Sequence, residues 1–379
     1  MSSPASQLQD SAAGSAPYAD RLRRAQAEMA RQGIDLLVVG ASADLLYLIG
    51  YAGHESERMS VLVLPRDGEP HYVVPGLEAP LLHDQRDLLE IVPWEETEDP
   101  AAKVAAVAGA GALGTIAAGD ELWSLFTLRL QRAMPRARWA EGGQLLRPLR
   151  MIKDEREIAL LAEAARRTDE TWEEFLTFSI TGLTEWQVRD HLLALLAARG
   201  LQPVFCNVGS GPNGASPHQT ASDRMIGPGD AVVCDWGGTL EGYNSDVTRT
   251  AHVGEPPPDF VRAYEAVLAA NQAAFEAVRP GVPCQEIDRA ARSVLTHAGY
   301  GDAFIHRTGH GLGLSLHEEP YLVEGNALPL AAGMVFSDEP GVYFPGQFGI
   351  RIEDTVVCTA GGGRRLNEAT RTLRVMGDR

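Results

Sequence analysis

VVCDWGGTLEGYNSDVTRT, Val232 to Thr250, is the stretch on which the fold and function of this chain turn. Strand-forming residues flank a glycine-containing turn, yet they carry Asp235 and Asp246 where a sheet ordinarily takes Val or Ile. If VVCD and SDVTRT pair as a hairpin turned around Leu240-Glu241, Asp235 stands directly opposite Asp246, with Cβ atoms ~4.5–5.5 Å apart. Two ionised carboxylates that close repel, so one holds a proton or a cation lies between them. On this hairpin alone, a pair of turn aspartates reads equally well.

Further polar residues accumulate downstream. HRTGHGLGLSLHEEP holds His306, His310 and His317. The i,i+4 spacing of His306 and His310 is that of a zinc helix, but Gly309, Gly311 and Gly313 rule out a stable helix. Those glycines suit a backbone that passes close to something. GMVFSDEPGVYFP ends a strand on Glu339, and FGIRIEDTVV sets Glu353 in an alternating strand beside Arg351. Four carboxylates and one imidazole on separate strands form a set of hard oxygen donors with a single nitrogen, which suits a pair of divalent ions such as manganese, cobalt or zinc.

The rest of the chain limits what such a set can belong to. With 379 residues, 45% of them hydrophobic, there is room for two domains. A formal net charge of −18 would repel nucleic acid and anionic lipid, and no apolar run approaches the ~20 residues of a membrane helix. Cys206, Cys234, Cys284 and Cys358 are scattered, which fits a reducing compartment and excludes a cysteine-based zinc site. Residues 1–17 are rich in Ser, Ala, Gly and Pro without an apolar core, so they read as a flexible tail rather than a signal peptide, and the expected location is the cytoplasm. From Tyr18 to Arg150 helices and strands alternate, including a hairpin on Asp67-Gly68, as an α/β domain should. A charged helix opens at MIKDEREIALL, and after Gly200 short strands with Gly/Pro turns surround two helical blocks, so residues 151–379 form an α+β domain. The G-x-G-x-x-G at Gly209, Gly211 and Gly214 is not a dinucleotide fingerprint, because Pro217 and Pro228 forbid the long helix that must follow.

DWGGTLEGYNSDVTRT, HRTGHGLGLSLHEEP, FSDEPGVY and GIRIED together resemble the signature segments of the pita-bread metallopeptidases, among them prolidase, aminopeptidase P and methionine aminopeptidase. The resemblance runs from about Arg150 to the end, and residues 18–150 resemble, more weakly, the α/β N-terminal domain of prolidase and aminopeptidase P, a creatinase-like domain. It implies a pita-bread catalytic domain with two metal ions, manganese foremost, held by Asp235, Asp246, His310, Glu339 and Glu353. Asp246 and Glu353 would bridge the ions. It implies Glu339 as the proton carrier, His218, His306 and His317 as active-site histidines, and Arg351 beside the last ligand. The complete ligand set argues against a creatinase-like or binding-only member, and the N-terminal domain argues against methionine aminopeptidase. Between prolidase, which cleaves Xaa-Pro dipeptides, and aminopeptidase P, which takes longer Xaa-Pro peptides, prolidase is favoured. One feature departs from the prolidase pattern: no Lys or Arg lies between His317 and Glu339 to hold the dipeptide's carboxylate. Arg58, in the glycine-rich GYAGHESERMS and supplied by the partner subunit of a homodimer, is the expected substitute.

Overall fold

The computed structural model describes residues 16–377. It divides between Arg150 and Met151 into two units.

The first unit is one mixed sheet with helices. Its strands are β1 (Leu36–Val39), β2 (Val61–Pro65), β3 (His71–Pro75), β4 (Glu90–Trp94), β5 (Thr115–Ala118) and β6 (Arg138–Glu141), in the order β4-β3-β2-β1-β5-β6. Leu36 to Val39 are buried without alternation, as befits a central strand covered on both faces. The hairpin β2-β3 turns on Asp67-Gly68, with Val61 opposite Val73. The helices are α1 (Ala16–Gln32), α2 (Ala43–Ile49), α3 (Pro100–Ala108), α4 (Ser124–Ala133) and α5 (Gly143–Met151). Leu22, Ala25 and Met29 form the buried stripe of α1. Ala16 and Pro17, given to the tail by the sequence reading, are the first residues of this helix; residues 1–15 lie outside the described residues.

The second unit is α+β. Helix α6 (Glu155–Phe175) starts at a reciprocal capping box between Asp154 and Glu157 and buries Leu161, Ala165, Thr168, Trp172 and Phe175. Helix α7 (Glu185–Ala198) follows, then α8 (Pro258–Ala277) and α9 (Cys284–His297). A first sheet contains β7 (Gln202–Ser210), β8 (Ala231–Leu240), β9 (Tyr243–Asn244), β10 (Val247–Val253) and, from the far end of the chain, β18 (Arg374–Met376). A second runs β12-β11-β13-β16-β17, formed by β11 (Gly309–Gly311), β12 (Glu318–Leu322), β13 (Val335–Asp338), β16 (Asp354–Thr359) and β17 (Gly362–Arg365). The hairpin β14 (Gly341–Phe344) and β15 (Phe348–Arg351) stands between β13 and β16 in the chain.

Trp236 of β8 stacks on Trp172 of α6 at 5.3 Å and donates its indole N–H to Thr171 Oγ1 at 2.8 Å, fixing the strand that carries Asp235 against the helix. Truncating an aromatic so buried costs about 3–5 kcal/mol. The two sheets meet at a bridge from Thr248 to Glu353, where the Glu353 N–H donates to the Thr248 carbonyl at 3.1 Å, and Arg249 Nη2 donates to Asp354 Oδ1 at 2.7 Å beside it.

Candidate metal centre

The register of β8 and β10 corrects the sequence reading. Asp235 faces Thr248, not Asp246, because the hairpin turns on Glu241-Gly242, one residue later than expected. Both turn residues have positive φ, 50° and 85°, the two-residue turn whose twist matches a hairpin. Moving the turn by one residue shifts the register by two, so Asp246 stays on the face of Asp235, diagonally across the ladder. Opposite Asp246 is Gly237, where a Cβ would lie 2.0 Å from the Ser245 carbonyl oxygen. Glycine is what lets the two strands close at this point.

His310 lies at the centre of β11. Its glycine neighbours are there for the same reason: a Cβ on Gly309 would stand 1.9 Å from the Ser337 carbonyl oxygen, and one on Gly311 2.3 Å from that of Glu319. Glu339 follows directly on β13, and Glu353 precedes β16 at the bridge to Thr248. All five residues line one cavity of about 550 Å³, together with His218, His306, Arg307, His317 and Arg351. Arg58 belongs to the first unit, where its guanidinium pairs with Glu96 at 2.7 Å and Glu57 at 2.8 Å.

Within the cavity, ligand atoms of Asp246, His310 and Glu353 all lie within 4.8 Å of one another, and all three residues are buried. His310 Nε2 is 3.4 Å from Glu339 Oε1 and 3.6 Å from Asp246 Oδ2. Its Nδ1 lies 3.1 Å from the Gly311 carbonyl oxygen, which can only accept, so Nδ1 carries the proton and Nε2 offers its lone pair to the carboxylates' side. Thr248 Oγ1 donates to Glu353 Oε2 at 2.6 Å, and Ser337 Oγ donates to Glu339 Oε1 at 3.1 Å. Asp235 accepts from Arg351 Nη2 at 2.6 Å through Oδ2, while its buried Oδ1 has no partner among the described residues.

Arg351 is held on every side. It donates from Nε to Thr248 Oγ1 at 3.0 Å and from Nη1 to Tyr343 OH at 3.0 Å and the Pro217 carbonyl at 3.3 Å. Tyr343 OH lies 3.0 Å from His306 Nε2, and His306 Nδ1 donates to the Arg307 carbonyl at 2.7 Å. His306 thus orients Tyr343 and, through it, Arg351. Thr248, Ser337 and Tyr343 went unremarked in the sequence, where nothing marks a threonine, serine or tyrosine of a strand as a second hydrogen-bond layer.

Charge in this cavity is unbalanced. Burial, then the neighbouring carboxylates, push Asp246 and Glu353 well above the ordinary carboxylate range, and burial raises Glu339 to about 7. Burial, with His317 beside it, lowers His310 to about 3; burial and then Arg351 lower His306 to about 4. Burial and the Arg307 charge also hold His317 below the usual imidazole range, its ring centroid 4.0 Å from that of His310. Four carboxylates with the uncharged imidazoles of His306, His310 and His317 and one committed arginine are a site for cations. The orphaned Asp235 oxygen and the converging Asp246, His310 and Glu353 atoms fit a divalent ion bound by oxygen with one nitrogen.

This fold and this ligand set belong to metal-dependent peptidases. Residues 159–360 match metallopeptidase family M24 and residues 21–152 match the creatinase/prolidase N-terminal domain. The chain belongs to family M24, as a creatinase-type α/β domain followed by a pita-bread catalytic domain. It is 43% identical over 364 residues to a probable dipeptidase PepE of Mycobacterium tuberculosis, covering 95% of this chain and 96% of that one. Among solved structures it is similar to the dipeptidase PepE of Mycobacterium ulcerans, with a TM-score of 0.91, 43% identity, and coverage of 97% of this chain and 99% of that one. It is also similar to a prolidase from Thermococcus sibiricus, with a TM-score of 0.90, 34% identity, and coverage of 94% and 99%.

Proposed function

We propose that this chain is a dipeptidase that hydrolyses the Xaa-Pro bond of dipeptides, working with two divalent ions, manganese foremost, held by Asp235, Asp246, His310, Glu339 and Glu353. The observation that carries this reading is the convergence of buried Asp246, His310 and Glu353 in the cavity that Asp235 and Glu339 also line. The similarity to a PepE dipeptidase and to a prolidase supports the substrate class.

Ions bound there supply Lewis acidity toward the scissile carbonyl and bring a water's pKa toward neutrality. The side chains do the rest. Glu339 takes a proton from the attacking water at a carboxylate oxygen and delivers it to the leaving nitrogen. His317 and His218, on the cavity wall, donate hydrogen bonds to the oxygen on which negative charge develops. Arg351 holds Asp235 in position, Tyr343 holds Arg351, and His306 holds Tyr343. The four cysteines are free and buried, in keeping with a cytoplasmic protein, and a homodimer is part of the same reading.

The test is incubation of manganese-loaded protein with Ala-Pro, Ala-Pro-Ala and non-prolyl dipeptides. Cleavage of Ala-Pro alone supports the proposal. Cleavage of Ala-Pro-Ala selects an aminopeptidase P, preference for non-prolyl dipeptides removes the proline specificity, and a chain that binds no stoichiometric metal is a binding protein instead.

A further inference from the structure

The role given to His218 needs an imidazole held at a fixed place on the cavity wall. The side chain is nevertheless exposed and makes no hydrogen bond among the described residues. Its position rests on the backbone that carries it, the segment that leaves β7 at Ser210 and leads toward β8. Resting on the dipeptidase reading above, we propose that Glu185 is a positioning residue, pinning the neck of this loop so that His218 is presented to the reacting carbonyl.

Glu185 is the first residue of α7 and is completely buried. A carboxylate there stands only where donors replace the water it has lost. The donors come from the two ends of the loop and its first turn. Ser210 gives its N–H and its hydroxyl to Oε1, both at 2.7 Å, and Ser222 gives its N–H and its hydroxyl to Oε2, at 3.0 and 2.6 Å. Asn213 Nδ2 reaches both oxygens, at 3.2 and 3.0 Å. Hydrogen bonds to an ionised acceptor are the strong kind, so one side chain closes residues 211–221 into a loop. Pro217 and His218 lie between the two serines, and the other tie to the cavity is the longer bond, 3.3 Å, from Arg351 to the Pro217 carbonyl. The G-x-G-x-x-G of this segment, rejected above as a dinucleotide fingerprint, is what lets the loop fold tightly. Gly211 has a φ of 48°, and a Cβ on Gly209 would stand 3.0 Å from the Gly214 Cα. The Gly214 carbonyl packs in turn on β15, where a Cβ on Gly349 would come within 2.0 Å of its oxygen. The glycines bring the outgoing limb against β15, and Glu185 ties the returning limb to it.

The experiment compares the manganese-loaded wild type with Glu185→Gln, Ser222→Ala, His218→Ala and the double variant Glu185→Gln/His218→Ala, each with its metal content and thermal midpoint measured. Glutamine keeps the shape of the side chain, but its NH2 turns a donor toward the N–H of Ser210 or Ser222, so one end of the loop is released. Ser222→Ala is the milder cut and serves if Glu185→Gln folds poorly. Kinetics are run on the best dipeptide from a panel of prolyl and non-prolyl sequences. Amide hydrogen exchange over residues 211–222, followed by mass spectrometry, gives a readout independent of turnover. His218→Ala should lower kcat on the order of 100-fold, as for the loss of one donor to a developing oxyanion. Glu185→Gln should lower kcat roughly 10-fold with KM and metal content little changed, and should cost less than about 2-fold once His218 is gone, because the two act as a unit. Exchange over 211–222 should quicken about 10-fold or more in Glu185→Gln, and less in Ser222→Ala, while the rest of the chain keeps its wild-type rates. Equal losses in the wild-type and His218→Ala backgrounds, or a loss of metal, would mean that Glu185 supports the fold or Arg351 and not His218. Unchanged exchange in both loop variants would overturn the assignment outright. A wild type that cleaves no dipeptide removes the dipeptidase reading, whereas the exchange rates still decide whether Glu185 pins the loop.

Discussion

Glu339→Gln separates the two states of the cavity, because its effect should reverse sign when metal is added. Without metal, Glu339 is a buried carboxylate among others, raised from an ordinary 4.5 to about 7. A carboxyl group raised in the fold contributes stability that is complete below about 4.5 and lost as pH climbs through 7. Once ionised, it costs the fold roughly 3 kcal/mol relative to the protonated form. Glutamine cannot ionise. In chelator-treated protein the variant should match the wild type near pH 4.5 and exceed it by up to about 3 kcal/mol at pH 8. Adding manganese at a hundredfold excess over its dissociation constant stabilises the wild type by about 2.7 kcal/mol per site. The variant, short of one ligand, should gain much less and should not turn over substrate. The assay is denaturant unfolding of both proteins from pH 4.5 to 8, with EDTA and with manganese. If metal-free Glu339→Gln is the less stable protein at pH 8, the picture of crowded, uncompensated carboxylates is wrong.

Other perturbations probe the supports of the cavity. Thr248→Val removes the hydroxyl that donates to Glu353 Oε2 at 2.6 Å and accepts from Arg351 Nε, and should weaken metal affinity about 10–100-fold by titration with little change in secondary structure. Gly309→Ala drives a methyl to within 1.9 Å of the Ser337 carbonyl oxygen; thermal denaturation should show a loss of roughly 3 kcal/mol or more, since the clash is with backbone. Tyr343→Phe cuts the link from His306 to Arg351 and should lower kcat several-fold while metal content stays at the wild-type level. Arg58→Ala should lower dipeptide turnover relative to tripeptide turnover, since its exposed pairs with Glu57 and Glu96 are weak and readily exchanged for a substrate carboxylate; an unchanged ratio would remove that role.

The candidate ligand types were legible in the sequence because they break a local rule. Asp235 and Asp246 interrupt a strand, His310 sits among glycines that forbid a helix, and Glu353 alternates with apolar residues. Their gathering was not legible from local pattern: it depends on the Thr248–Glu353 bridge, between residues 105 positions apart. The hairpin register was misjudged because Glu241 takes a left-handed conformation that glutamate seldom adopts, whereas Asn-Gly would have announced the turn. Period-2 alternation still kept both aspartates on one face, so the error displaced a neighbour without losing the site.

The most direct test is an anomalous difference map from crystals of the manganese-loaded protein. Two peaks are expected in the cavity, bonded between them to Asp235, Asp246, His310, Glu339 and Glu353, with both lost in Glu353→Gln crystals treated alike. Absence of density there at saturating manganese, or peaks held by other side chains, would contradict the dinuclear centre on which the proposed chemistry depends.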